Sequence, residues 1–134
     1  MTARYSEPLF VISVAARLVE MHPQTLRKYE REGLVAPSRT SGNLRLYSDS
    51  DIEQLRQVKY LVEQRGLNLA GVQLALELTR ELRHLRSHYD RLGTASQQLV
   101  RDVDALLRRL GYVERNPDGA AGGNASQRRP RPMS

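Results

Sequence analysis

Apolar positions along this chain change period three times, and each change marks an element. Ser13 offers a cap to a helix covering Val14 to Val19, with Ala15 and Leu18 on its inner side. After a turn at residues 20–22, Pro23 suits the first position of a second helix, where a missing N–H costs little. Leu26 and Tyr29 sit three apart and face inward, and Gly33 ends the helix. From residue 34 to 47 the period falls to two. Pro37, Gly42 and Asn43 punctuate two short strands with a turn at residues 41–43. Leu44 and Leu46 are expected to pack down, leaving Arg45 and Tyr47 on the open side. Ser48 and Asp51 then resemble a capping box ahead of Ile52, Leu55, Val58 and Val62. Past Gly66, Asn68 can cap a fourth helix carrying Leu69, Val72 and Leu76.

The third change is to a strict heptad. Leu78, Leu85, Leu92, Leu99 and Leu106 recur every seven residues, interleaved with Leu82, Tyr89, Ser96, Val103 and Leu110. That spacing follows the coiled-coil rule. As one helix, residues 78–110 would be about 50 Å long at about 1.5 Å per residue. So long a leucine seam implies a partner, and a second copy of the chain is expected to supply it. Gly93, Thr94 and Ser96 would allow a helical hairpin instead. The heptad phase survives on both sides of them, so a continuous helix is expected.

The predicted organisation is therefore an arm (1–9), a winged helix-turn-helix domain (10–77), a dimerisation helix (78–110) and a disordered basic tail (111–134), in a mainly α chain. Composition fits it. Hydrophobic residues make up 40% of the 134 residues but aromatics only 5%, a thin core that favours leucine burial against a partner. The net charge of +6 suits a polyanion. Half of that excess lies beyond residue 114, where four arginines face one aspartate. The absence of cysteine removes disulfides, thiolate metal sites and cysteine nucleophiles. No basic-then-apolar leader and no run of roughly 18 apolar residues is present. A cytoplasmic, nucleoid-associated protein that contacts no membrane is expected.

The candidate chemistry lies in residues 22–47. An α-helix fits the major groove, where each base pair shows its own pattern of donors and acceptors. Gln24, Thr25, Arg27, Lys28 and Arg31 supply polar groups on the second helix, and Ser13 marks the start of the first. Arg39, Asn43, Arg45 and Tyr47 supply donors on the wing, where cations and a hydroxyl suit the phosphate backbone. Double-stranded DNA is the expected partner.

These motifs also resemble a known family. VISVAARLVEM, HPQTLRKYEREGL, the wing RTSGNLRLY, SDSDIEQLRQVKYL and GLNLAGVQLALEL together look like the DNA-binding domain of the MerR family of bacterial transcription regulators, over residues 12–78. HPQTLRKYEREGLVAPSRTSG with the following NLAG is similar to the family's heat-shock repressors. The resemblance implies a winged-helix homodimer joined by an antiparallel coiled coil. It also implies inverted-repeat operators upstream of chaperone genes, and the DnaK chaperone as co-repressor. By position, Arg27, Lys28 and Tyr29 occupy the family's R-Y-Y triplet, and Arg45 and Tyr47 its wing. Four departures stand out: Lys28 for tyrosine, Glu20 for a turn glycine, His22 for a serine or threonine cap, and Gly42-Asn43 for Asn-Gly.

Other readings are weaker. A sensor of another signal within the family would need a sensing module, whereas the residues alone leave an activator as open as a repressor, and repression is what the resemblance implies. Metal sensors use cysteine, and His84 and His88, four apart, lack a third ligand. A pure leucine-zipper interaction protein would leave the basic helix unexplained. No catalytic grouping is seen, since Glu30 and Glu32 point to different faces, and no cofactor motif appears.

Overall fold

The structure is a computed structural model that describes residues 5–90 and 97–114. Among these, three strands and five helices run in the order β1 (Pro8–Val11), α1 (Ile12–Val19), α2 (Pro23–Arg31), β2 (Ser38–Arg39), β3 (Arg45–Ser48), α3 (Asp49–Glu63), α4 (Leu69–Asp90) and α5 (Gln97–Arg109). The antiparallel sheet has the order β1-β3-β2. Phe10 pairs with Tyr47 on one side of β3, and Arg39 pairs with Arg45 on the other. Strand β1 lies in the stretch read as an arm: Pro8 is already in register with Ser48.

Local chemistry sets most boundaries. The Ser48 hydroxyl accepts from Asp51 N–H at 3.1 Å, and the Asp51 carboxylate accepts from Ser48 N–H at 2.9 Å, closing the expected capping box. Asn68 Oδ1 accepts from Gly71 N–H at the start of α4. His22 also caps: its Nδ1 accepts from Gln24 N–H at 3.0 Å. Gly33, at φ +79°, ends α2, and Leu34 N–H donates back to Tyr29 O at 2.9 Å. Helix α1 begins at Ile12, with Val11 at its cap position and no side-chain cap bond. Ser13 is therefore an exposed first-turn residue, not the cap. Ala15, Ala16 and Val19 line the inner side of α1, while Leu18 lies about 100° from Val19 and is 40% exposed.

One core joins α1, α2, α3, β3 and the first two turns of α4. Leu26, Tyr47, Ile52, Leu55, Val58 and Val72 have 1% or less of their surface exposed, so they anchor it. Helix α4 belongs to both predicted domains, running unbroken across residues 77 and 78.

The expected continuous helix over 78–110 is not what forms. In a single helix Arg86 and Asp104 would be about 27 Å apart at about 1.5 Å per residue. Instead Arg86 Nη1 lies 3.1 Å from an Asp104 oxygen and 3.1 Å from a Glu114 oxygen. Leu82 of α4 packs against Val103, Leu107 and Tyr112. Helices α4 and α5 are thus an antiparallel hairpin. Its open end returns to the head, where the Gln57 amide donates to Thr79 Oγ1 at 2.7 Å and to Leu110 O at 2.9 Å. Leu110 packs on the head core. Gly93, Thr94, Ser96 and Leu92 lie outside the described residues, as does the side chain of Tyr89. The patternless region also begins later than expected, since Tyr112 is buried and the Arg83 guanidinium stacks 4.7 Å from its ring centre. Residues 115–134 lie outside the described residues.

Candidate nucleic-acid interface

Helix α2 is amphipathic in the way a groove-reading helix requires. At 100° per residue Gln24, Arg27, Lys28 and Arg31 fall within one arc of about 100°, opposite buried Leu26 and Tyr29. Gln24, Lys28 and Arg31 are exposed, and Thr25 and Arg27 are partly so. Arg27 Nη1 donates to Gln24 Oε1 at 2.9 Å, one turn back on the same side.

The wing stands beside this arc. Strands β2 and β3 meet in a tight turn in which Asn43 N–H donates to Thr40 O at 2.8 Å. Thr40 Oγ1 accepts from Gly42 and Leu44 N–H. Asn43, not Gly42, takes the left-handed conformation, at φ +66°. An asparagine tolerates it at modest cost. The Gly42-Asn43 departure from Asn-Gly thus places the left-handed residue second in the pair.

Strand β3 has the opposite parity to the one expected. Tyr47 is fully buried and Leu44, at the wing tip, is 51% exposed. The cause is β1, whose Phe10 pairs with Tyr47 and helps close that side into the core. Tyr47 therefore cannot present its hydroxyl to a phosphate backbone. Its hydroxyl is buried without a hydrogen-bond partner among the described residues. Burial first, and the nearby Glu30 charge second, push its pKa up. Tyr29 is likewise a core residue, its pKa raised by burial and then by Glu32 and Glu63. Both tyrosines shape the surface from beneath; the polar side chains above them are the ones available for contact.

A residue set aside by sequence reasoning ties the two parts together. Glu30, on the flank of α2, receives Arg45 Nε on Oε1 at 2.6 Å and Arg39 Nη2 on Oε2 at 3.2 Å. Arg39 Nη1 also donates to the Asn43 backbone and side-chain oxygens at 3.3 Å. Burial would raise the Glu30 pKa, but hydrogen bonds from Arg45 and Arg39, with their charges, hold it below the usual glutamate value. The sequence signal was faint: a glutamate one helical flank from the basic arc, followed by two wing arginines.

No group of three or more His, Cys, Asp or Glu placed to hold a metal is found among the described residues, and His84 is solvent-exposed on α4. No helix among them is long and apolar enough to cross a membrane.

Comparison with known proteins agrees with this geometry. Residues 10–79 match the MerR HTH family regulatory protein model. The chain is 46% identical over 109 residues to HspR, named as a heat shock protein, of Streptomyces coelicolor, covering 76% of this chain and 72% of that one. It is 42% identical over 73 residues to the HTH-type transcriptional regulator GlnR of Bacillus anthracis, covering 54% and 56%. With the HTH-type transcriptional regulator MlrA of Escherichia coli it shares 36% over 69 residues, or 51% of this chain and 28% of that one. These relatives are named as regulators and a stress protein, none as an enzyme. The chain belongs to the MerR family of helix-turn-helix proteins and is a DNA-binding transcriptional regulator.

Proposed function

We propose that this protein is a homodimeric repressor of chaperone genes. Each α2 enters a major groove, with the wing arginines on the flanking phosphates. The observation that carries the DNA contact is the exposed arc of Gln24, Arg27, Lys28 and Arg31 standing beside Arg39 and Arg45. Ser13 and Asn43, both exposed, extend the contact at its two edges.

The dimer rests on a second observation. Leu78 and Leu85 of α4, and Leu99 and Leu106 of α5, are each 40–45% exposed. On its own helix each pair flanks the positions that meet across the hairpin, Leu82 on α4 and Val103 and Leu107 on α5. Because the helices are antiparallel, both pairs fall on the same side. A second copy offers the matching surface, and a two-fold axis through it makes the operator an inverted repeat. Half-site centres then lie a whole number of turns apart, in units of about 34 Å. The likeness to HspR, named as a heat shock protein, supports a role in the heat-shock response; chaperone genes as targets and DnaK as co-repressor follow from the resemblance of the sequence motifs.

Footprinting of the purified chain on its own upstream region, with and without DnaK, tests this reading. A symmetric protected repeat that strengthens with DnaK, and a transcript that falls in reconstituted transcription, are the expected results. Competition by a scrambled duplex as effective as by the natural region would sink the DNA reading. Arg27→Ala and Arg45→Ala should each weaken the footprint while leaving the dimer intact.

A further inference from the structure

We propose that Glu30 is a positioning residue for DNA recognition, fixing the two wing arginines relative to the groove-reading helix. The inference rests on the DNA-contact reading above. Arg39 and Arg45 are direct cross-strand partners on β2 and β3. Two like charges so placed repel each other and would otherwise splay apart. Glu30 comes from a different element and bonds both, one oxygen to each guanidinium.

The bonds also select which edges of the guanidinium groups remain. Arg45 is held through Nε, and among the described residues no partner within the chain takes its two Nη groups. Arg39 is held at both Nη atoms, by Glu30 and by the wing-tip Asn43. The wing is thereby tied to α2 through both of its strands, and Arg39 links the tie to the turn. The cluster keeps a net charge of +1, so it still attracts a phosphate, and Arg45 reaches that phosphate with its orientation already set. A long side chain fixed before binding loses less freedom on binding. The base-reading arc and the phosphate-holding wing then act as one rigid template, and a duplex whose backbone does not fit that spacing is rejected.

Simple electrostatics makes the opposite prediction, since deleting a negative charge beside DNA should tighten binding. The test uses the full-length chain and a duplex that it selects from a random pool, beside a scrambled duplex of the same length. Glu30→Ala is expected to weaken the selected duplex by about tenfold and to leave the scrambled one unchanged or tighter. Glu30→Gln, which keeps the shape and an acceptor oxygen, should fall between wild type and Glu30→Ala. In an Arg39→Ala/Arg45→Ala background, Glu30→Ala should have no further effect, which a general loss of folding would not reproduce. Tighter binding of both duplexes by Glu30→Ala, or an equal loss that persists without the arginines, overturns the assignment. A wild-type chain that enriches no sequence from the pool overturns the DNA reading itself, and this inference with it.

Discussion

The head and the α4–α5 hairpin use their apolar residues in opposite ways. In the head, sheet and helices close over Leu26, Tyr47, Leu55 and Val58, and what is left outside α2 and the wing is largely polar. In the hairpin the heptad splits. Leu82, Val103 and Leu107 meet within the chain, while Leu78, Leu85, Leu99 and Leu106 stay outside. The head also exposes leucines, such as Leu18 and Leu44 on separate elements, whereas the hairpin groups four half-exposed leucines in one row, the kind of patch that calls for a partner. In the proposed dimer the head is complete as a reader, and the hairpin is half of an interface.

The sharpest way to break that contrast is to charge one leucine row and trim the other. Leu99→Asp should raise the dimer dissociation constant by at least about a hundredfold, because it asks for a desolvated carboxylate at the seam. Tight operator binding should be lost with it, while the melting of each chain hardly changes. Leu107→Ala should do the reverse, costing about 2–5 kcal/mol of stability as a buried large-to-small change while leaving exposed leucines free to pair. Sedimentation and thermal melts of both variants decide it. A fully dimeric Leu99→Asp protein would remove the outer row from the interface.

Next in size is the joint between the two regions. Gly111 sits at φ +81°, and a Cβ there would run into the Tyr60 ring at Cδ2. Gly111→Ala combines a left-handed alanine with a clash against an aromatic ring of α3. It should cost about 2–3 kcal/mol, with increased amide exchange in α5 and at Leu110 before the core of the head. Uniform exchange across head and hairpin would show that the two do not separate.

What the sequence revealed divides along the same line. Signals confined to a few neighbouring residues were readable: Pro23, Gly33, the Ser48–Asp51 box and Asn68 each act within one turn. The basic arc of α2 was readable for the same reason. One local reading failed, since α1 starts before Ser13 with Val11 at its cap position; the other failures depended on distant partners. The parity of β3 is set by β1, some 37 residues earlier in the chain, and a four-residue strand beginning with proline carries little signal of its own. A heptad names the apolar seam but not the direction in which the chain returns along it, so a hairpin and a rod read alike. Glu30 had no visible role because its two arginines lie nine and fifteen residues away.

A smaller effect separates contact from scaffold in the head. If Tyr47 touched DNA, Tyr47→Phe would weaken operator binding. In the structure its hydroxyl is buried without a partner among the described residues, so Tyr47→Phe removes an uncompensated polar group. Operator affinity should stay within about twofold, and stability should rise by up to about 1 kcal/mol. A clear loss of binding would return Tyr47 to the contact surface.

The smallest effect lies in the turn between α1 and α2. Glu20 holds φ +57°, a left-handed conformation at the C-terminal end of α1. Lys59 partly compensates: its ammonium donates to Val19 and Glu20 carbonyls at 3.3 and 3.1 Å. Those bonds reach backbone oxygens, so they survive loss of the glutamate side chain. The Lys59–Glu20 ion pair, at 3.8 Å with the carboxylate 85% exposed, adds little. A non-glycine residue in this region costs about 1–2 kcal/mol, and glycine's greater freedom in the unfolded chain returns about half of the gain. Glu20→Gly should therefore stabilise the protein by about 0.5–1 kcal/mol, read as a higher melting temperature. Because the turn sets the angle of α2, operator affinity should hold or improve slightly. A destabilised Glu20→Gly variant would mean that the Lys59 contacts, and not the backbone strain, dominate this turn.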